Sequence, residues 1–181
     1  GCEGRRVLAG LPWAPAGLGD ELWDALLDDA DPGVVDAAMA GVGRRGDRAR
    51  VGWLLAQLGH PRRRTGARDA LAALARREPA VIAELAAFLA DTAQAPRQRA
   101  EIPRALARVP HQDSVDVLVR RLATGHPNLR YEVLKSLGKL RSGYPGLVFD
   151  RATISGEVCL EAGRFIQLAR LGTMLPTEGA Q

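Results

Sequence analysis

Aromatic residues are scarce in this sequence, with three Trp, two Tyr and three Phe making 4% of 181 residues. A β-sandwich or barrel draws on aromatics, Val and Thr, so their scarcity beside recurrent Ala and Leu points to close-packed helices. Cysteine is nearly absent. Cys2 and Cys159 are too few for a disulfide framework and lack metal-site spacing. Long apolar runs are missing too. The longest uncharged stretch, Val7 to Gly19, has 13 residues and is broken by Pro12 and Pro15, too short to span a bilayer. The chain opens on Gly rather than Met, as expected of a fragment or a processed form. Cys2 near the start would suit a lipidated N-terminus, but with no apolar region visible upstream of it lipidation is not expected.

What is present is a globular composition, 46% apolar and 25% charged, in a length suited to one compact domain or a short repeat array. The net charge of +4 is unevenly placed, and 23 of the 25 basic residues are Arg. Residues 1–36 hold eight acids against two bases, whereas residues 44–77 hold ten Arg against Asp47 and Asp69. Such asymmetry bears on partners rather than on fold.

A repeat organises the middle of the chain. Pro32, Pro61, Pro96 and Pro127, spaced by 29, 35 and 31 residues, each open an apolar-periodic segment. The third residue after each is Val35, Arg64, Arg99 and Arg130. The sixth is Ala38, Ala67, Ile102 and Val133, and the tenth is Val42, Leu71, Leu106 and Leu137. These offsets trace one helix face. Proline suits a first helical turn, where its missing N–H has no partner to lose. Asp31, His60 and His126 precede three of these prolines at the N-cap place. A second helix is predicted in three units, over 47–58, 79–89 and 114–122, with Gly43, Gly46, Pro79, Pro110 and Gly143 marking the turns. Short connections predict antiparallel neighbours. Each unit is thus a helical hairpin that buries its apolar face only by stacking.

The pattern D/H-P-x-x-R-x-x-A-x-x-A-L, then turn and helix, resembles the HEAT-repeat family from Asp20 to Arg141. Its best examples run from His60 to Leu71 and from His126 to Leu134; the first unit departs with Val35 in the Arg place. The resemblance implies an all-α fold, an α-α superhelix of about four hairpins. Residues 1–19 are then a linker or irregular segment. Residues 20–141 form the array, and residues 142–181 a Gly/Pro turn, a capping helix and a tail. The capping helix would set Ile154, Val158, Phe165 and Leu168 on one face. The segments Arg99–Leu106, Asp113–Leu118 and Leu129–Leu137 are also similar to bacterial HEAT modules carried on membrane proteins with transporter-like domains related to ATP/ADP translocases. That similarity implies a cytoplasmic module, at the cytosolic face of a membrane when linked to such a domain.

Candidate chemistry is sparse. His60, His111 and His126 belong to no His-Glu pair of the kind an iron site on facing helices needs. Cys159, between Glu157 and Glu161, lacks the positive neighbours that activate a thiolate and reads as a small packing residue. Glu157 and Glu161 read as a solvated helix face, and Ser114-Val115-Asp116 as a helix N-terminus. No catalytic, cofactor-binding or metal-binding residues are assigned, and no small-molecule substrate is evident.

Arginine carries the remaining signal. Arg44-Arg45, Arg76-Arg77, Arg108 and Arg141 recur at 32, 32 and 33 residues near the ends of first helices. They either compensate helix dipoles or line one edge for an anionic partner. Arg64, Arg99 and Arg130 are expected to bridge neighbouring units. The family's usual use of its surface implies a protein or peptide partner on a concave face built by second helices, with Arg50, Gln57, Glu84, Asp116 and Arg120 as contact positions. A nucleic acid on the Arg edge is a weaker alternative, because the N-terminal block is acidic and the aromatics are not interleaved with Arg.

Overall fold

The computed structural model describes residues 20–122 and 127–174. All regular elements among them are helical, with no strand. In chain order they are α1 (Asp20–Leu27), α2 (Pro32–Arg45), a 3-10 turn (Arg48–Arg50) running into α3 (Val51–Gln57), α4 (Arg64–Arg77) and α5 (Ala80–Ala90). Then come α6 (Pro96–Arg99), α7 (Glu101–Leu106), α8 (Gln112–Leu122), α9 (Pro127–Gly143) and α10 (Arg151–Met174). The readings of residues 1–19, His126 and 175–181 fall outside the described residues. No helix among those described is long and apolar enough to cross a membrane.

Local chemistry sets the helix ends. Asp31 Oδ1 accepts from Gly33 N at 2.8 Å, with Pro32 in the first turn of α2. Gly46, at φ 81°, closes α2 by donating its N–H to Val42 O, a left-handed conformation that glycine adopts without a Cβ clash. The Pro61 unit starts differently from the sequence reading, since α4 becomes regular only at Arg64. His60 contributes its carbonyl, which accepts from Arg63 N at 3.1 Å and Arg64 N at 2.9 Å. The third unit departs further. Its first helix is split into α6 and α7 at Ala100. Pro103 has no N–H for the Arg99 carbonyl, and its ring crowds that carbonyl, so one continuous helix is disfavoured. At α8, His111 Nδ1 accepts from Asp113 N at 3.3 Å. Ser114 is fully buried inside α8 with no hydrogen bond to its hydroxyl, and does not cap the helix.

Leu, Val, Ile and Ala residues from α1 to α9 form one continuous core, from Trp23 to Leu140. First helices meet in series: α2 packs on α4, α4 on α7, and α7 on α9. Second helices meet through α5 and α8. The α2–α4 contact is the tightest kind, because a Cβ built on Gly43 would lie 3.0 Å from Ala73 Cβ and 3.1 Å from both Cα and O of Ala70.

The last helix covers the array only in part. Ile154 packs against the core, and α10 meets α8. Val158 is exposed, and the side chains of Phe165 and Leu168 fall outside the described residues. Asp150 caps α10, accepting from Thr153 N at 3.1 Å and Thr153 Oγ1 at 2.6 Å. The Thr153 bonds hold the Asp150 carboxyl below its ordinary range. Gln112 ties the approach to α10 onto α8: its Nε2 donates to Val148 O at 2.9 Å and its Oε1 accepts from Val148 N at 3.0 Å.

Two glycines should respond oppositely to substitution. Gly43→Val forces α4 backbone away and should destabilise the fold by about 2 kcal/mol or more. Gly138→Ala, where nothing lies within 4 Å of the added Cβ, should stabilise it by up to about 1 kcal/mol through helix propensity. Urea unfolding midpoints of the two variants check both signs.

Candidate functional site

Glu101 begins α7 at the break that Pro103 imposes, and it is only 2% exposed. A carboxylate taken out of water needs partners. Arg104 Nη1 donates to Glu101 Oε1 at 2.7 Å, and Arg68 Nη1 to Glu101 Oε2 at 3.4 Å. Arg64 Nη1 stands at 3.7 Å. Two of the three partners come from α4 and one from α7, so the buried charge fastens those helices together.

The network continues both ways. Arg104 also donates from Nε to Glu132 Oε2 at 2.8 Å and from Nη2 to Glu132 Oε1 at 2.7 Å, a two-pronged pair that reaches α9. That pair pushes the Arg104 guanidinium up and holds the Glu132 carboxyl below its ordinary range. Lys135 and Lys139 lower Glu132 further through their charge. On the other side Arg68 donates to Asp69 at 3.1 Å, and Asp69 also takes Arg108. The charges thus run Arg108, Asp69, Arg68, Glu101, Arg104, Glu132 across α4, α7 and α9.

A hollow of about 230 Å³ opens on this surface. Its lining cations are Arg68, Arg104, Arg108, Lys135 and Lys139, joined by Glu132 and the buried Ser136. Lys135 and Lys139 are exposed and form no ion pair among the described residues. The Lys135 ammonium lies 6.0 Å from the Tyr131 ring centre. A surface of this kind attracts anions and positions fixed N–H donors for them. No group of three or more His, Cys, Asp and Glu among the described residues could hold a metal ion.

The residues singled out from sequence are dispersed over several surroundings. Arg45 lies over the Trp23 ring at 5.2 Å, with Nη1 buried and making no hydrogen bond. Arg44, Arg76 and Arg77 are exposed at the ends of α2 and α4, and Arg77 lies beside Gly46. Arg108 faces the basic hollow, while Arg141 lines a different one. The single edge expected for these six is therefore divided: the half-buried Arg45 stacks on an indole and two others face separate hollows. Arg64 reaches Glu101 in the next unit, Arg130 is buried and pairs with Glu157 of α10, and Arg99 Nε is buried without a hydrogen bond. Glu157 accordingly faces the protein and not solvent.

The second-helix positions are engaged locally. Arg50 pairs with Asp24 and Asp47, its side chain 12% exposed, so it is not the open contact position expected. Gln57 accepts from Arg63 at 3.3 Å, Glu84 from Arg48 at 2.5 Å, and Asp116 from Gln112 at 2.9 Å. Arg120 is exposed. Cys159 is exposed as well, contrary to its reading as a packing residue.

Sequence reading missed Glu101, Arg68, Arg104, Glu132, Lys135 and Lys139. Arg68–Glu101 and Arg104–Glu132 span 33 and 28 residues, close to one repeat length, and that spacing was the available signal. The second hollow, about 690 Å³, lies between α9 and α10 and is lined by Leu134, Leu137, Leu147, Phe149, Ile154 and Val158 among others. Neither protein-family models nor curated proteins give a match to this chain.

Removing Arg104 should cost more than removing Glu101. Arg104→Met strands a buried carboxylate, and should cost about 3 kcal/mol, at the low end because Arg64 and Arg68 remain. Glu101→Gln frees arginines that already reach water and should cost less. Urea denaturation of the pair gives the order. For pH the sign follows from Glu132. A depressed carboxyl contributes stability fully above its unfolded value, about 4.3, and loses it as pH falls through the lower folded value. Acid titration of unfolding midpoints should therefore show a drop below pH of about 4 that is smaller in Glu132→Gln.

Proposed function

We propose that this chain is a HEAT-like helical-repeat scaffold, an α-α superhelix of about four hairpins, that binds an acidic protein partner and catalyses no reaction. The serial contacts of α2, α4, α7 and α9 support the superhelix, as does the way Arg–carboxylate pairs recur at the α4–α7 and α7–α9 junctions. The basic hollow on the first helices carries the functional reading. Its charge is concentrated on α4, α7 and α9. The second-helix face implied by family resemblance offers mainly locally paired side chains, so the binding face is reassigned to the first helices.

The choice of a protein over a nucleic acid rests on interleaved charge. Asp69, Glu101 and Glu132 lie among the cations. A phosphate backbone meets such carboxylates at every step, whereas a folded or extended acidic polypeptide places its charges irregularly. The division of the Arg edge also removes the continuous strip that backbone binding uses. Nothing among the described residues favours linkage to a membrane domain over this reading.

Fluorescence anisotropy with a labelled oligo-glutamate peptide and a labelled DNA duplex tests the reading across graded salt. The peptide should bind at low salt and release as salt screens the hollow. Failure of the peptide to bind at low salt overturns the reading. Tighter binding of the duplex, with a steep logarithmic salt dependence, replaces it with a phosphate-backbone binder.

A further inference from the structure

The charge and size of the basic hollow narrow what fits it. Five lining cations stand against Glu132 in the lining and against Asp69 and Glu101, which hold lining arginines from outside. With Arg64, which also stands on Glu101 from outside, the formal excess is three positive charges. A single carboxylate leaves two of them uncompensated. A phosphoryl monoester carries roughly −1.5 to −2 at neutral pH and offsets more of the excess. Its three terminal oxygens also accept several charge-assisted hydrogen bonds at once.

The hollow, about 230 Å³ and open to solvent, has room for a phosphoryl head group. The donors differ in freedom. Arg104 is held in place by Glu101 and Glu132, with all three guanidinium nitrogens engaged. Lys135 and Lys139 are exposed, one helical turn apart on α9, and have no ion pair among the described residues. Arg104 thus sets the field, and the two lysines are the groups free to close on an incoming oxyanion. The buried Ser136 sits between them in sequence and lines the same hollow.

Resting on the acidic-partner reading above, we infer that the hollow between α4, α7 and α9 is a phosphoryl-recognition site, taking a phosphorylated serine or threonine side chain on a protein partner, with Lys135 and Lys139 as its principal ligands. The partner's main chain then stays on the surface while one side chain enters.

The test compares three fluorescein-labelled peptides of one Gly/Ser sequence, carrying at a central position phosphoserine, glutamate or serine. The phosphoserine peptide should bind about tenfold tighter than the glutamate peptide, since it adds charge and acceptors together. Inorganic phosphate should displace it, and chloride at equal ionic strength should not. Lys135→Ala/Lys139→Ala should abolish the preference while shifting the thermal unfolding midpoint only slightly, because both lysines are exposed and act on the fold only through their charge on Glu132 and the Lys135–Tyr131 contact. Equal binding of the phosphoserine and glutamate peptides overturns the phosphoryl assignment and leaves the acidic-partner reading standing. Binding of neither, with no binding of oligo-glutamate, overturns both. Retention of the preference in the double-lysine variant also overturns the site. Displacement by a short DNA duplex more readily than by inorganic phosphate assigns the hollow to nucleic acid instead.

Discussion

A buried carboxylate organises the middle of this protein. Glu101 is out of water, and its charge is tolerable only with arginines brought to it from α4 and α7. Buried ion pairs seldom add net stability over apolar side chains of the same volume, because desolvation offsets the attraction. Their effect is on arrangement. Leu and Ala faces slide past one another at modest cost, whereas a one-turn slip between α4 and α7 would strand Glu101. Because Arg104 is shared with Glu132, the same constraint passes to α9. The alignment of α4, α7 and α9 is therefore tied to a few charges, while the apolar core supplies the driving force for burial.

The second helices are joined by different means. Arg121 Nη2 donates to Leu89 O at 3.0 Å, placing a cation of α8 on the C-terminal end of α5. Arg48 spans from the 3-10 turn to Glu78 and Glu84, which hold its guanidinium above the ordinary range. These links touch side chains or helix ends near the surface. On the first-helix side, charge is buried, shared and tied to three elements at once. That contrast places the rigid donors on one face, where the hollow lies.

Much of the fold was legible in one dimension, and the reason is local. The prolines and the apolar residues at offsets of three, six and ten act within one helix, so their positions alone report helix starts and buried faces. Pro103 carried a local signal of the same kind, yet the Pro96 segment was expected as one helix, with no break at Ala100. The site was not legible in this way. Nothing near Glu101 in sequence distinguishes it from any other helix-opening acid; its meaning depends on Arg68, 33 residues away. Arg45 and Arg108 belong to one recurring series in sequence, yet one meets an indole and the other a carboxylate. Periodicity reports the direction of a side chain and not what stands opposite. The second-helix face was a borrowed expectation, and the local pairing of Arg50 and Glu84 leaves it little to offer.

The bare backbone contact at Gly43 has a mechanical consequence. Where two helices touch through a glycine, the main chain of Ala70 and the Ala73 methyl, no long side chain lies between them to deform. Bending compliance must then reside elsewhere along the row, and the helix break at Ala100, where Pro103 has no N–H for the Arg99 carbonyl, is one such place. The Glu101 cluster ties α4 to α7 directly beside that interruption, so any flexing there works against its ion pairs.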